Sequence, residues 1–261
     1  AYDADSDGEE AKYHTFKFEE IKDIENIGKY FDINPKGNWE GKIILKEIEK
    51  PDTRIISQLL SLRKKKRKPF FDNKIQLDLN CLWVSSLITA HQVIPNEGYL
   101  NKAEELFMNI EKKFMYGNLY HSNLKSIAFI EDYAYTINCL IDLADITLNP
   151  SYRIKAVEIC KEAINQFYNK EKFIFQKNRL TMNDLFLKPI DISDHTIPNG
   201  NSIMLTNFAR LGFNKEAKLL SSNLNCYLNI YKSFMVSAVK AIDYFNEISK
   251  GKNCNQDGCS T

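Results

Sequence analysis

The sequence predicts an all-α protein built from helical hairpins, and three observations carry that reading. Apolar residues recur every three to four positions in stretch after stretch, strictly alternating runs are scarce, and the clearest helical segments come in pairs joined by short loops. The pairs repeat at roughly 50 to 60 residues without close self-similarity, which suits hairpins wound around an axis as a toroid or a solenoid. Periodicity alone does not choose between those two.

Taken in order, residues 19–31 read as one or two short helices and 53–66 as another. The first hairpin pairs 77–93 with 99–115 across the Pro-Asn-Glu-Gly turn at 95–98. The second pairs 132–147 with 152–168, where Asn149 or Ser151 can cap the incoming helix and Pro150 suits its start. A third group covers 201–211, a break at Gly212-Phe213-Asn214, then 215–228 and 230–249. Short strands are expected at 42–48 and 173–178. Residues 1–250 are expected to form one domain, less regular over the first 70, with 251–261 a cysteine-containing tail.

The 261 residues are 44% hydrophobic and 12% aromatic, enough to bury a sizeable core, and 35 basic groups nearly cancel 34 acidic ones. A formal charge of +1 gives no global field toward nucleic acid or an anionic membrane. No apolar run approaches the roughly 20 residues needed to span a bilayer. The chain begins without Met, inside a motif, so a fragment is expected. Cys81, Cys139, Cys160 and Cys226 sit in apolar helical stretches and read as buried reduced thiols, pointing to a cytoplasmic setting. Cys254 and Cys259 leave open a disulfide or half of a metal site, although two thiols do not complete a zinc site.

DADSDGEE at 3–10 raises the question of a calcium loop, since Asp3, Asp5, Asp7 and Gly8 fall at ligand and glycine positions. The position that needs a bidentate glutamate is His14, so that reading fails. The basic run Arg63-Lys64-Lys65-Lys66-Arg67-Lys68 closes a helix before Pro69, complements its dipole, and reads as a solvated face. His14, His91, His121 and His195 show no pair at metal-ligand spacing on one helix, so neither metal nor cofactor is assigned. His14 and His195 do lie beside acidic or amide-rich stretches where proton transfer can be tuned. Glu131-Asp132 opens one helix, and Asn199-Gly200-Asn201-Ser202 opens another, with Asn201 able to cap it. In a ring of hairpins, such helix entries can converge on one end of a central cavity.

Five ordered motifs give the chain a family likeness. Asp3 to His14 is similar to an acidic motif of the form DADSEGEEGKFYVW, and GNWEGK at 37–42 matches outright. Asp72-Asn73-Lys74 with Asn80, Glu131-Asp132-Tyr133-Ala134, and Asp194 with Pro198 to Ser202 complete the set. These resemble the C-terminal region of the thioredoxin-domain-containing, spermatogenesis-associated thioredoxin-like proteins, and even Cys254 and Cys259 resemble a paired-cysteine ending in some relatives. The chain departs from the pattern at Leu79-Asn80-Cys81, His14-Thr15-Phe16 and Asn199-Gly200-Asn201, where the family has Trp-Asn-Gly, Tyr-Val-Trp and Ser-Gly-Asn.

The resemblance implies most of an (α/α)6 toroid of the six-hairpin glycosidase and sugar-epimerase kind, with its N-terminal helices and a thioredoxin-like domain missing. An open ring of that kind is expected to expose apolar helix faces and to self-associate. DADSDGEE then reads as a cavity loop. A carbohydrate-binding or carbohydrate-processing module is the first expectation, with Asp5, Glu9, Glu131 and Asp132 as acids and bases. Asp3, Trp39, Lys74, Asn80, Tyr133, Asp194 and Asn201 are expected to position a sugar or other small ligand. The alternative is a non-catalytic module that presents partners or clients to the thioredoxin-like domain. A purely structural reading treats every cluster as helix capping.

Overall fold

The structure, a computed structural model, describes residues 1–182 and 186–257, with side chains through residue 251. The chain packs into two units, Ala1–Asn73 and Lys74–Thr261.

In the first unit, strands β1 (Asp5–Ser6) and β2 (Glu9–Glu10) pair antiparallel, Ser6 opposite Glu9. Asp7 and Gly8 turn between them at φ 59° and 73°, the left-handed backbone that an Asp-Gly pair adopts in a tight hairpin. The acidic motif is therefore a β-hairpin. Two single-turn helices follow, α1 (Phe18–Ile21) and α2 (Ile27–Tyr30), then α3 (Thr53–Lys64), whose first turn is capped by Asp52 accepting from the Ile55 N–H at 2.8 Å. Phe16, Ile21, Ile27, Phe31, Ile43, Ile55 and Leu59 form its core. The strand expected at 42–48 is reduced to isolated bridges, Phe16 with Ile43 and Phe31 with Glu47.

GNWEGK is a turn in which Gly37, Asn38, Trp39 and Lys42 have structural work. A Cβ on Gly37 would stand 2.5 Å from the Lys42 carbonyl oxygen, so only glycine fits. The Asn38 amide bonds both backbone groups of Ile44, at 2.8 and 2.9 Å. Lys42, lying 5.3 Å over the Trp39 ring, reaches Glu9 at 2.6 Å.

The basic run departs from a purely solvated face, because acids of the same unit gather against it. The Lys66 ammonium, on a side chain only 16% exposed, bonds the Thr15 carbonyl at 2.8 Å and Glu20 at 2.9 Å, and sits 4.6 Å from the Phe16 ring centroid. Arg67 reaches Asp7 at 3.3 Å, and its carbonyl accepts from the Ser6 hydroxyl at 2.5 Å.

The second unit holds the hairpins. Helices α4 (Leu77–Val93) and α5 (Glu97–Phe114) form the first, and a ribbon of β3 (Met115–Tyr116) with β4 (Asn118–Leu119) follows. Helices α6 (Ile130–Thr147) and α7 (Pro150–Phe167) form the second, with Asn149 as the observed cap, accepting from the Ser151 N–H at 3.0 Å. The strand expected near 173–178 is β6 (Ile174–Phe175), paired with β5 (Tyr168–Asn169). Helices α8 (Gly200–Leu211) and α9 (Asn214–Tyr231) form the third, and a 3-10 turn at Lys232–Met235 leads into α10 (Val236–Asp257). That last helix runs on through residues 251–257, into the stretch read as a tail. The side chain of Cys254 and the whole of Cys259 lie outside the described residues.

Besides its hairpin partner, α6 packs on α4 and α8, and α8 packs on α10. Helices α4, α6, α8 and α10 thus form an inner row, with α5, α7 and α9 behind it. This explains why α6 buries twelve of its residues, Ile130 to Ala144, on every side of the helix. The outer α5 buries a single stripe at Ala103, Phe107, Ile110 and Phe114. At the edge of the row, α4 leaves Leu79 and Trp83 45% and 58% exposed. Cys81, Cys139 and Cys160 are buried as expected, whereas Cys226 is exposed, because its face of α9 points outward.

A polar clamp joins the row near the C-terminal ends of α6 and α8. Arg210 donates to Asp142 at 2.6 Å and Asp145 at 2.9 Å, while Asp142 also accepts from Ser85 of α4 at 2.6 Å. Replacing Arg210 with Met is expected to cost about 2 kcal/mol, less than a fully buried pair would lose, because Arg210 and Asp142 remain slightly exposed. Urea unfolding of the variant measures it, and an unchanged midpoint would remove the clamp from the fold's supports.

Candidate functional site

Alternate helices in a hairpin array run the same way, so the N-terminal ends of α4, α6 and α8 gather at one end of the second unit. The polar residues that open each helix therefore meet. Asp78 lies in the first turn of α4, Glu131 and Asp132 in that of α6, and Asn199 caps α8 by accepting from the Ser202 N–H at 3.0 Å. Asn199, rather than Asn201, is the cap. Between them lies a cavity of about 290 Å³, to which the loops add His121, Lys177, Asp191 and His195.

Gly200 allows this close approach: a Cβ there would come within 3.3 Å of Ile130 and 3.4 Å of the Glu131 amide nitrogen. Tyr135 passes beneath, donating from its hydroxyl to the Pro198 carbonyl at 2.9 Å.

Asp132 is fully buried and fully bonded. Its Oδ2 accepts from the Phe129 N–H at 2.8 Å, and both oxygens lie 3.0 Å from His121 Nδ1. The other ring nitrogen of His121 is 3.1 Å from the Gln76 amide nitrogen, and the Leu77 N–H donates to the His121 carbonyl at 2.8 Å. His121 thereby ties the loop before α6 to the starts of both α4 and α6. The hydrogen bond with Asp132 raises its pKa, against the opposing effect of burial.

Glu131 behaves differently. Both of its carboxylate oxygens are buried and have no hydrogen-bond partner among the described residues, and burial is the main cause that raises its pKa. Asp78, 8% exposed, accepts only from the Leu79 N–H at 2.8 Å among the bonds described, and burial together with the nearby Asp132 charge raises its pKa. Lys177 lies 3.6 Å from Asp191. Asp78, His121 and Asp132 each offer a ligand atom, all within 4.8 Å of one another, and are the group among the described residues that can hold a metal ion.

Of the residues singled out from sequence, Glu131, Asp132 and His195 line this cavity, with Pro198 and Asn199 of the motif that opens α8. Others in the second unit spend their polar atoms on the fold. The Tyr133 hydroxyl donates to Glu162 of α7 at 2.6 Å, on the side toward the outer layer. Asn201 is completely buried, accepting from the Phe175 N–H at 2.9 Å and donating to the Phe175 and Asp191 carbonyls at 3.1 and 2.9 Å, so its amide staples β6 to α8 rather than meeting a ligand. Asp194 accepts from Asn199 and from the Ser237 N–H and hydroxyl, which fastens the loop before α8 to α10. Asn80 donates to the Gln76 carbonyl at 2.7 Å, and Lys74 is exposed.

Asp3, Asp5, Glu9 and Trp39 belong to the first unit. Asp3 accepts from the Asp5 N–H at 3.2 Å, Asp5 is exposed, and Glu9 is ion-paired with Lys42 at 2.6 Å and Lys12 at 3.7 Å. The lysine partners lower the pKa of Glu9, with the Lys42 hydrogen bond the largest cause.

Sequence reading missed Asp78, His121, Lys177 and Asp191. Asp78 carried the signal used for Glu131 and Asp132, an acid in a helix's first turn, and could have been found by it. His121 lies in a loop, and only the tertiary fold gives it partners.

Burial tends to raise the pKa of Asp194, but the hydrogen bonds from Ser237 and Asn199 outweigh it and hold the carboxyl below the usual aspartate range. Its stabilising bonds are therefore complete above that range and are lost as pH falls through the lowered folded-state value. Asp194→Ala is expected to cost about 2 kcal/mol at neutral pH. The gap from the parent protein should close as the pH drops below about 4, and a gap that stays constant in thermal melts across pH would contradict this assignment.

No helix among the described residues is long and apolar enough to cross a membrane. No protein-family model matches the chain. An uncharacterized protein of Caenorhabditis elegans is 27% identical over 166 residues, covering 59% of this chain and 22% of that protein. Among solved structures, cellobiose 2-epimerase from Bacillus thermoamylovorans superposes with TM-score 0.51 at 15% identity, covering 70% of this chain and 58% of that one. A GH76 alpha-mannanase from Bacteroides thetaiotaomicron gives TM-score 0.54 at 15% identity, with 72% and 57% covered. A second family 76 glycoside hydrolase, a mannosidase from the same organism, gives 0.52 at 12% identity, with 71% and 58% covered. The chain thus spans less than two thirds of each of these proteins, and its fold is that of the six-hairpin, glycosidase-like α/α toroids.

Proposed function

We propose that the second unit is a carbohydrate-binding or carbohydrate-processing module, with its ligand in the cavity at the N-terminal ends of α4, α6 and α8. The carrying observation is Glu131, which lines the cavity and whose buried carboxyl oxygens have no hydrogen-bond partner among the described residues. Leaving such a group unpaired costs free energy, and a ligand rich in hydroxyls relieves that cost by donating to it. Sugars fit this demand, and the solved toroids named above include an epimerase and two mannan- or mannoside-directed hydrolases.

Within this reading Glu131 is the residue that meets the sugar. Asp132 and His121 are positioning residues: Asp132 fixes the first turn of α6, and His121 fixes Asp132. Membership of the thioredoxin-domain-containing family is part of the proposal and rests on the five ordered motifs. Two of those motifs, the acidic hairpin and GNWEGK, join within the first unit through Glu9 and Lys42.

Titration calorimetry with mannose, mannobiose, cellobiose and N-acetylglucosamine tests the reading. A saturable heat is expected for at least one sugar, weakened about tenfold or more in Glu131→Gln, with the helical circular dichroism unchanged. Absence of heat from every sugar, or equal affinity in the variant, would overturn it.

A further inference from the structure

Three side chains that no single stretch of sequence brings together surround one point of the cavity wall. Asp78 comes from α4, Asp132 from α6, and His121 from the loop between β4 and α6, and their ligand atoms lie within 4.8 Å of one another. Each is also oriented by a second bond directed away from that point. The Leu79 N–H holds Asp78 Oδ1, the Phe129 N–H holds Asp132 Oδ2, and the Gln76 amide stands against His121 Nε2. Each of the three still turns a ligand atom toward the other two, and the His121–Asp132 pair is already in contact at 3.0 Å.

We propose that Asp78, His121 and Asp132 form a binding site for one divalent transition-metal ion. Two carboxylates and one imidazole are a mixed oxygen and nitrogen set that suits manganese or zinc better than calcium. Three protein ligands leave coordination positions open toward the cavity. Outer bonds to each ligand are what metal sites use to fix ligand orientation and ring tautomer.

Burial supplies a physical reason for a cation. Asp132 is inaccessible and Asp78 is 8% exposed, so two carboxylates share a poorly solvated wall with one imidazole between them. A second, independent observation points to a ligand: Glu131 lines the same cavity with two buried oxygens and no partner among the described residues. Ligand atoms around one such ion stand roughly 3 to 3.5 Å apart, at metal distances of about 2.0 to 2.2 Å. His121 Nδ1 already lies 3.0 Å from Asp132, and on binding the ion takes the place of the Nδ1 proton, which passes through water to Nε2, where the Gln76 amide turns its oxygen to accept it.

Calorimetric titration of the chain with MnCl2, without sugar, tests the site separately from the carbohydrate reading. Manganese is the probe because the exposed thiol of Cys226 would compete for zinc. One ion per chain is expected, with affinity reduced at least about tenfold in Asp78→Asn and unchanged in His91→Ala, a residue in the last turn of α4. Pulsed electron paramagnetic resonance of the bound ion should show coupling to an imidazole nitrogen in the parent chain and in His91→Ala. His121→Gln should abolish that coupling; if His121→Gln fails to fold, the parent spectrum and Asp78→Asn decide. No saturable binding, affinity unaltered in Asp78→Asn, or a bound ion without nitrogen coupling would each overturn the proposal.

Discussion

The buried carboxylate of Asp132 is the constraint around which the site is arranged. A carboxyl group with no exposure has to be met by hydrogen-bond partners, and here the Phe129 N–H and His121 meet it. Because His121 also touches Gln76 and bonds the Leu77 N–H through its carbonyl, satisfying one carboxylate fixes a loop and the starts of two inner helices. The cavity wall follows from that single requirement. Removing either partner would leave a buried polar group unpaired, so sequence freedom at this corner is small.

Glu131, the next residue, shows what the same local setting does when no protein donor is supplied. Both acids complement the positive end of α6, yet one is bonded within the fold and the other, in the cavity wall, has no partner among the described residues. Adjacent residues on a helix point about 100° apart, so structural and ligand-facing duties can be divided between neighbours. The inner row carries this through. A helix buried on every side has no solvated flank, and its few polar side chains must be bonded internally or directed at something that enters.

The first unit illustrates a different economy, in which charge is neutralised pair by pair. Acids of the β-hairpin and of α1 meet Lys42, Lys66 and Arg67, and the two lysine ammonium groups sit over the rings of Trp39 and Phe16. The chain's near-zero net charge is thus partly a record of contacts within this unit.

Much of the architecture was legible in the sequence. Apolar spacing places α4 to α9 within a few residues, Asn149-Pro150 marks the start of α7, and Asp7-Gly8 carries the backbone freedom of a tight turn, because these signals are local and depend on neighbours three or four positions away. The acids at helix starts were equally readable, since the helix dipole acts within one turn. Their division of labour was not. Whether Asp132 is spent and Glu131 free, whether Asn199 or Asn201 caps α8, and whether Tyr133 turns toward the cavity or toward Glu162 depend on groups dozens of residues away. Periodicity specifies which face of a helix is apolar, while hydrogen-bond satisfaction in a buried interior is decided only when the helices have met.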